Sequence, residues 1–313
     1  MSPPRAIRIA TRGSRLALWQ AHAVSDRLRA AGTRTEVIVM TTTGDRSQHT
    51  SVPGDDSKRQ FVKELEDALL RGDADVAVHS AKDLPVELPA GLAVAACLAR
   101  EDARDGIVLP ETLGPVTLPD ALARLAQGAT IATGSVRRVA QLAPMLPGAT
   151  FAPVRGNVDT RLAKLDGGGF SALVLACAGL RRLGFGHRIS TALPVDQCVP
   201  APGQGIVATE IRLDDESALA TLTVLHDEAA GRALAAERAL VAALGGGCQL
   251  PLGAFASEHD GMLQLVAVVA SLDGIRAVRR SMSGPVTDPG GLGQRLAAAL
   301  EADGARQLLD EAR

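Results

Sequence analysis

The chain has 313 residues, 46% hydrophobic and 22% charged, the balance of a globular protein with two or three cores rather than one. A formal net charge of −2 speaks against a general nucleic-acid footprint. Residues 1–9 lack the apolar run of a signal peptide and no stretch approaches 18 uncharged apolar residues, so no leader and no membrane partner are expected. Four cysteines (Cys97, Cys177, Cys198, Cys248) lie too far apart for metal-ligand or redox-motif spacing. No metal, reduced thiols and a cytoplasmic location follow as expectations. Lys58, Lys63, Lys82 and Lys164 are the lysines, so nearly all cationic charge is arginine. That bias reflects genomic base composition, or a need for planar forks that grip carboxylates at two points.

Arg8-Ile9-Ala10-Thr11 reads as the end of a strand, and Gly13-Ser14 opens a helix with Ser14 as N-cap and Gly32 as its stop. Leu16, Trp19, Ala23, Val24 and Leu28 recur at helical spacing and are expected to face the core. Residues 70–79 read as a helix end, a turn and an apolar strand, leading into His79-Ser80-Ala81-Lys82-Asp83-Leu84-Pro85. A carboxylate at such a strand end can act as acid and base or stabilise a passing cation; the plainer alternative is a Lys–Asp pair in a solvated turn. His79 alone reads as a hydrogen-bonded structural histidine.

The pattern then repeats. Thr130-Ile131-Ala132-Thr133-Gly134-Ser135 again runs strand, Gly-Ser, helix, with Arg137 and Arg138 in the first turn. Residues 165–176 repeat the helix end, turn and strand of 70–79, and continue through 178 to Arg182. Arg155-Gly156-Asn157, Arg161 and Arg181-Arg182 complete a set of arginines at strand-to-helix junctions. They are solvated helix-face residues or, taken together, a wall for several carboxylates. Two similar α/β units with mostly parallel sheets are therefore expected, with ligands beyond the carboxyl ends of the strands. Pro200-Ala201-Pro202-Gly203-Gln204-Gly205 reads as a linker that returns the chain to the first unit and can serve as a hinge.

After about residue 225 the texture changes. Residues 227–244 read as an Ala- and Leu-rich helix, 252–256, 263–270 and 275–282 as strands, and 292–300 as a last helix before a charged tail. Gly245-Gly246-Gly247-Cys248-Gln249-Leu250-Pro251 sits near the start of this smaller α+β domain. It is a tight turn with a small buried cysteine, or a mobile loop that presents a thiol.

Taken together, these motifs resemble the porphobilinogen deaminase (hydroxymethylbilane synthase) family. The matching stretches are Arg8-Ile9-Ala10-Thr11-Arg12-Gly13-Ser14 with Leu16-Ala17-Leu18-Trp19-Gln20-Ala21, then Phe61-Val62-Lys63-Glu64-Leu65-Glu66 and 79–85. Gly134-Ser135-Val136-Arg137-Arg138, 155–162, Pro202-Gly203-Gln204-Gly205 and 245–251 continue it, so the likeness spans about residues 6–310. The resemblance implies an α/β fold: two periplasmic-binding-protein-like α/β domains flanking a cleft, plus a smaller C-terminal α+β domain. Its divisions would be 1–103 with 204–224, 104–203 and 225–313. It implies an enzyme that condenses four porphobilinogen molecules head to tail, releasing four ammonia and, after hydrolysis, hydroxymethylbilane, in tetrapyrrole (haem) biosynthesis. The implied cofactor is a dipyrromethane primer held on Cys248 through a thioether, and the implied catalytic carboxylate is Asp83. Lys58, Ser80, Lys82, Asp83, Ser135, Arg137, Arg138, Gly156 and Arg161 would bind the cofactor. Arg12, Ser14, Arg155, Arg161, Arg182 and Gln204 would bind substrate, in a monomer. Two departures stand out: Asp55-Asp56-Ser57-Lys58-Arg59-Gln60 replaces a glycine-rich family pattern, and Arg15 replaces a common proline. A non-catalytic anion-binding module on the same two-lobed plan would explain the arginines but not the 245–248 loop.

Overall fold

In chain order, β1 (Ile7–Arg12), α1 (Arg15–Ala30), β2 (Thr35–Met40), α2 (Asp56–Arg71), β3 (Val76–Ser80) and β4 (Leu92–Cys97) come first. Next are β5 (Asp105–Val108), α3 (Leu118–Leu125), β6 (Thr130–Ala132), α4 (Val136–Leu142) and β7 (Thr150–Ala152). They are followed by α5 (Val158–Asp166), β8 (Ala172–Ala176), α6 (Cys177–Arg182), β9 (Thr191–Ala192), β10 (Val207–Arg212) and α7 (Glu216–Leu222). The chain ends with α8 (Glu228–Ala243), β11 (Leu252–His259), β12 (Met262–Ala270), β13 (Ala277–Pro285), α9 (Pro289–Ala302) and α10 (Ala305–Glu311). This computed structural model describes residues 5–40, 56–246 and 250–312.

The local signals of the first unit act as their chemistry dictates. Ser14 Oγ accepts a hydrogen bond from the Ala17 amide at 3.3 Å and caps α1. Gly32, at φ +86°, turns the chain out of that helix, and the Thr33 amide closes on the Leu28 carbonyl. The buried face of α1 differs from the expected stripe. Gln20, Ala21, Val24, Ser25 and Leu28 point inward, while Trp19 is 40% exposed. Two hydrogen bonds fix this rotation: Gln20 Nε2 donates to Ser80 Oγ at 2.7 Å, and Ser25 Oγ meets Thr35 Oγ1 at 2.7 Å. A polar side chain that finds a partner inside can be buried at little cost, and here it outranks an aromatic one.

Two five-stranded sheets share one topology. The first runs β2-β1-β3-β10-β4, with β1 parallel to β2 and β3, and β10 antiparallel to β3 and β4. The second runs β7-β6-β8-β5-β9, with β6 parallel to β7 and β8, and β5 antiparallel to β8 and β9. Each sheet thus takes its reversed fourth strand out of sequence. The reversed strand β10 follows the whole second sheet, and β5 precedes the rest of its own. Helices cover both faces of each sheet, with Ile9, Val24, Leu28, Val76 and Val207 in one core and Leu65, Ala68, Leu69 and Ala77 in the other. Ile107, Leu125, Ile131 and Leu142 lie on one side of the second sheet and Leu162, Leu165, Leu173 and Leu180 on the other.

Contacts divide the chain into two units, Met1–Arg100 with Ile206–Gly231, and Glu101–Gly205 with Arg232–Arg313. Within the second unit, β11, β12 and β13 form an antiparallel meander that α9 and α10 cover. The charged tail expected after residue 300 is a helix instead. Ala305, Leu308 and Leu309 of α10 are buried, so the three residues that recur on one face outweigh the surrounding charge.

At β11, Gly253 lies so close to residue 199 that a Cβ would come within 2.6 Å of the Val199 carbonyl oxygen, and the Ala254 amide donates to the Pro200 carbonyl at 2.9 Å. Gly253→Ala must push backbone against backbone. It is expected to lower stability by about 1–3 kcal/mol, the usual cost of overpacking, seen as a lower urea midpoint at unchanged slope.

Candidate functional site

In the first unit the apolar strand β3 ends in a 3-10 turn, Ala81–Asp83. The turn is fixed from behind. Ser80 Oγ accepts from Gln20, and the Ala81 amide donates to the Ile206 carbonyl at 3.0 Å. Ala81 is buried, whereas Lys82 and Asp83 are half-buried at the turn. The strand end therefore holds its backbone rigid and offers an ammonium and a carboxylate side by side. His79, one residue back, is buried with Nε2 3.1 Å from Glu210 Oε2 on the neighbouring β10. Arg12 ends β1 and Ser14 caps α1, so both lie at the carboxyl end of the strand next to β3.

In the second unit the arginines divide. Arg137 and Arg138, in the first turn of α4, are buried and paired with Asp105, which begins β5 and is 0% exposed. Arg137 Nη1 donates to Asp105 Oδ2 at 2.7 Å and to the Val199 carbonyl at 2.7 Å. Arg138 donates through Nε to Asp105 Oδ1 at 2.9 Å, reaches the same oxygen through Nη2 at 2.7 Å, and gives Nη1 to the Val174 carbonyl at 2.9 Å. Arg138 thus commits all three nitrogens, while Arg137 commits Nη1 and keeps Nε and Nη2 without a protein partner among the described residues.

Gln204 and Cys198 close the same cluster. Gln204 Nε2 donates to Asp105 Oδ1 at 2.9 Å and to the Ala103 carbonyl at 2.7 Å, and Cys198 Sγ lies 3.5 Å from Asp105 Oδ2. The amide nitrogen of Gln204, expected at the ligand, is spent inside the fold. Burial would push the Asp105 carboxyl up; the charges of Arg137 and Arg138 outweigh it and hold that carboxyl far below the usual carboxylate range. Burial raises the Cys198 thiol to about 12, and Cys177 likewise to about 12, so both stay protonated.

Arg161 projects from α5 back over the turn that precedes it, and its Nε donates to the Gly156 carbonyl at 2.8 Å. Gly156 holds φ +108°, and a Cβ there would come within 3.1 Å of Thr160, so the turn needs glycine. Burial, and then the positive charge of Arg138, push the Arg161 guanidinium down. Three guanidinium groups, those of Arg137, Arg138 and Arg161, therefore stand against the one carboxylate of Asp105. That surplus of positive charge, with two uncommitted nitrogens on Arg137, suits a ligand rich in carboxylates. Ser135 precedes α4 without giving its hydroxyl to the cap, unlike Ser14, and Asn157 precedes α5 in the same way. Arg155 is exposed beyond β7, and Arg182 closes α6 with Nη2 on the Gly205 carbonyl at 2.6 Å. Arg181 and Arg182 thus stand in the last turn of a short helix rather than the first.

Several of these partners escaped the sequence reading. Asp105 lies in the charged stretch 101–105 and reads as loop; the useful signal is an acid directly before the apolar run 106–109. Glu237, fully buried within the Ala-rich α8, accepts from the Gly203 amide at 2.6 Å and the Ala256 amide at 2.7 Å. It ties the Pro-Gly-Gln-Gly segment to β11. Cys248, Asp55 and the side chain of Lys58 lie outside the described residues; the rest of the segment that departs from the family pattern, 56–60, expected as a loop, opens helix α2.

Comparison with known proteins gives a consistent result. The family model "Porphobilinogen deaminase, dipyromethane cofactor binding domain" matches residues 7–220, and "Porphobilinogen deaminase, C-terminal domain" matches residues 232–302. A porphobilinogen deaminase of Methylobacillus flagellatus is 43% identical over 311 residues, covering 99% of this chain and 98% of the relative. One from Stenotrophomonas maltophilia is 46% identical over 306 residues, covering 97% and 99%. Among solved structures, a periplasmic substrate-binding protein of an ABC transporter from Coxiella burnetii aligns with 71% of this chain and 92% of its own, at 13% identity and a TM-score of 0.43.

The Asp105 cluster sets an acid limit. Its folded-state pKa lies below the unfolded value of about 3.9, so its stabilisation is complete above that value and is lost as pH falls through the folded pKa. Chemical denaturation between pH 5 and about 2 is expected to show stability dropping on the acid side, and Asp105→Asn should flatten that drop.

Proposed function

This chain belongs to the porphobilinogen deaminase family, and from that premise we propose the part each residue takes in its reaction. The reaction is the head-to-tail condensation of porphobilinogen, a transferase step of tetrapyrrole synthesis. Each substrate carries two carboxylates, so the growing chain is densely anionic. Loss of ammonia from a porphobilinogen leaves an electron-poor methylene-pyrrole cation; the free α-carbon of the terminal pyrrole of the growing chain attacks it and then gives up its proton, which replaces the one carried off by the leaving amine.

Asp83 is the catalytic carboxylate. It stabilises that cation, accepts hydrogen bonds from pyrrole N–H groups and passes a proton to the leaving amine. The rigid 3-10 turn anchored by Gln20 and Ile206 keeps it in one place through successive rounds. Lys82 and Ser80 flank it. Arg12, Ser14, Arg155, Arg161 and Arg182 take substrate acetate and propionate groups. Ser135, Arg137, Arg138, Gly156, Lys58 and Cys248 serve the dipyrromethane, with Cys248 as its thioether anchor. When bound, the dipyrromethane supplies the nucleophilic pyrrole on which the first substrate is added. Gln204, whose amide nitrogen is spent on Ala103 and Asp105, acts by holding Asp105. The same reading gives a cytoplasmic monomer in three domains, 1–103 with 204–224, 104–203 and 225–313. The observation that supports it best is the positive surplus around Asp105, where Arg137 retains two uncommitted nitrogens.

Asp83→Asn should fold and carry the two-ring primer yet lose at least about 100-fold in turnover, the lower end of what general acid–base catalysis supplies. Steady-state assay of porphobilinogen loss and ammonia release checks this, and near-normal turnover removes Asp83 from its role. Cys248→Ser should purify without a stable pyrrole adduct. Intact mass decides the point: the unmodified chain should exceed its sequence mass by two linked pyrrole units, located on the Cys248 peptide, and the variant should not.

A further inference from the structure

The carboxylate of Asp105 touches both arginines of α4, and it treats them differently. Arg138 spends Nε and Nη2 on Asp105 and Nη1 on the Val174 carbonyl, so its fork is closed. Arg137 spends Nη1 alone, on Asp105, on the Val199 carbonyl and on Cys198 Sγ at 3.7 Å. The other edge of the Arg137 guanidinium, Nε and Nη2, has no protein partner among the described residues. A fork held at one corner presents its opposite edge in a fixed direction, and that edge is the pair of parallel N–H groups that matches a carboxylate at two points. Residues that orient a ligand-binding group without touching the ligand commonly matter as much as the group itself.

We propose that Asp105 is a positioning residue for ligand binding: it immobilises Arg137 by one nitrogen so that the Nε–Nη2 edge is presented to a carboxylate of the dipyrromethane. The inference rests on the reading that the chain carries this group. Asp105 makes no contact with it. Its negative charge also cancels one of the three guanidinium charges gathered at the site, which lets Arg137 and Arg138 stand in adjacent positions of one helix turn without driving each other apart. Gln204 holds the same carboxylate from the side of the 200–205 segment, so Asp105 links the direction of Arg137 to the path of the chain where it leaves the second unit.

The test compares three full-length proteins: the unmodified chain, Asp105→Asn, and Asp166→Asn. Asp166 forms a two-point pair with Arg188 in the same unit, at 2.7 and 3.0 Å, and serves as a control for simple destabilisation. Intact mass gives the fraction of each carrying the two-pyrrole adduct. Asp105→Asn is expected to load about tenfold or more below the unmodified chain, in line with losing an orienting partner, while Asp166→Asn loads normally at a similar loss of melting temperature. Equal loading of Asp105→Asn and the unmodified chain overturns the proposal. A second readout follows the Arg137 Nη1 protons, which face Asp105 and the Val199 carbonyl and not the ligand edge: their hydrogen exchange, by nitrogen-15 NMR with Arg137→Lys for assignment. Exchange should be slow in the unmodified chain and fast in Asp105→Asn; unchanged exchange also overturns it. If the unmodified chain proves bare, the cofactor reading fails by itself and the exchange result still decides Asp105. Should Asp105→Asn not fold, Asp105→Ser takes its place. Failure of both to fold overturns the proposal in favour of a purely stabilising carboxylate.

Discussion

Removing a carboxylate from water costs several kcal/mol unless opposite charge and hydrogen bonds replace the water, and Asp105 meets that demand at every point. Its two oxygens receive Arg137, Arg138 and Gln204, and Cys198 lies beside them. The partners come from the first turn of α4 and from 198–204, and the arginines reach on to the carbonyls of Val174 and Val199. One buried charge therefore fixes where β5 begins, how α4 enters, how β8 is met and where the 198–204 segment runs. Hydrophobic burial fills the cores on both faces of this sheet but has no direction, and the charge cluster supplies one. The chemistry proposed for the second unit depends on it, because the guanidinium groups are useful at fixed positions and costly at loose ones.

The first unit reaches the same end by neutral means. Its corresponding helix opens on Ser14, whose hydroxyl oxygen accepts at the cap, and its strand end is braced by the Gln20 amide and a backbone bond to Ile206. The first unit has a buried acid of its own, Asp75, which receives Arg8 and Arg5, but it precedes β3 and so lies at the opposite end of that strand from the 3-10 turn; behind the turn stands the His79–Glu210 pair. Two sheets of equal topology have thus been tuned in opposite ways. One presents a carboxylate and an ammonium on a braced turn, the other a surplus of guanidinium groups around a single acid.

Much of this was legible because the signals are local. Ser14 as a cap, Gly32 as a stop, the apolar runs of β3 and β8, and the Gly-Ser junctions before α1 and α4 depend on neighbours in sequence. Asp83 stands out only through the family likeness of 79–85; its place at a strand end by itself leaves a solvated Lys–Asp turn open. What failed was set by contacts between distant positions. Trp19 faces outward because Gln20 finds Ser80, 60 residues away. Asp105 reads as a loop acid until Arg137 and Arg138 are seen around it. The tail after residue 300 reads as charged, yet its small apolar face packs as α10. Burial of a polar group is decided by its partner, and sequence proximity does not reveal the partner.

The late strand β10 orders the birth of the molecule. The second sheet, from β5 to β9, is continuous in the chain and can close as soon as residue 192 has left the ribosome. The first sheet cannot. Its strands β1, β2, β3 and β4 emerge earlier, but β3 keeps an open edge until β10 arrives with residues 207–212. The nascent first unit must therefore carry an unpaired strand edge through the synthesis of about a hundred further residues, the state most open to mispairing. Translation runs from the first residue, but the later sheet is finished first.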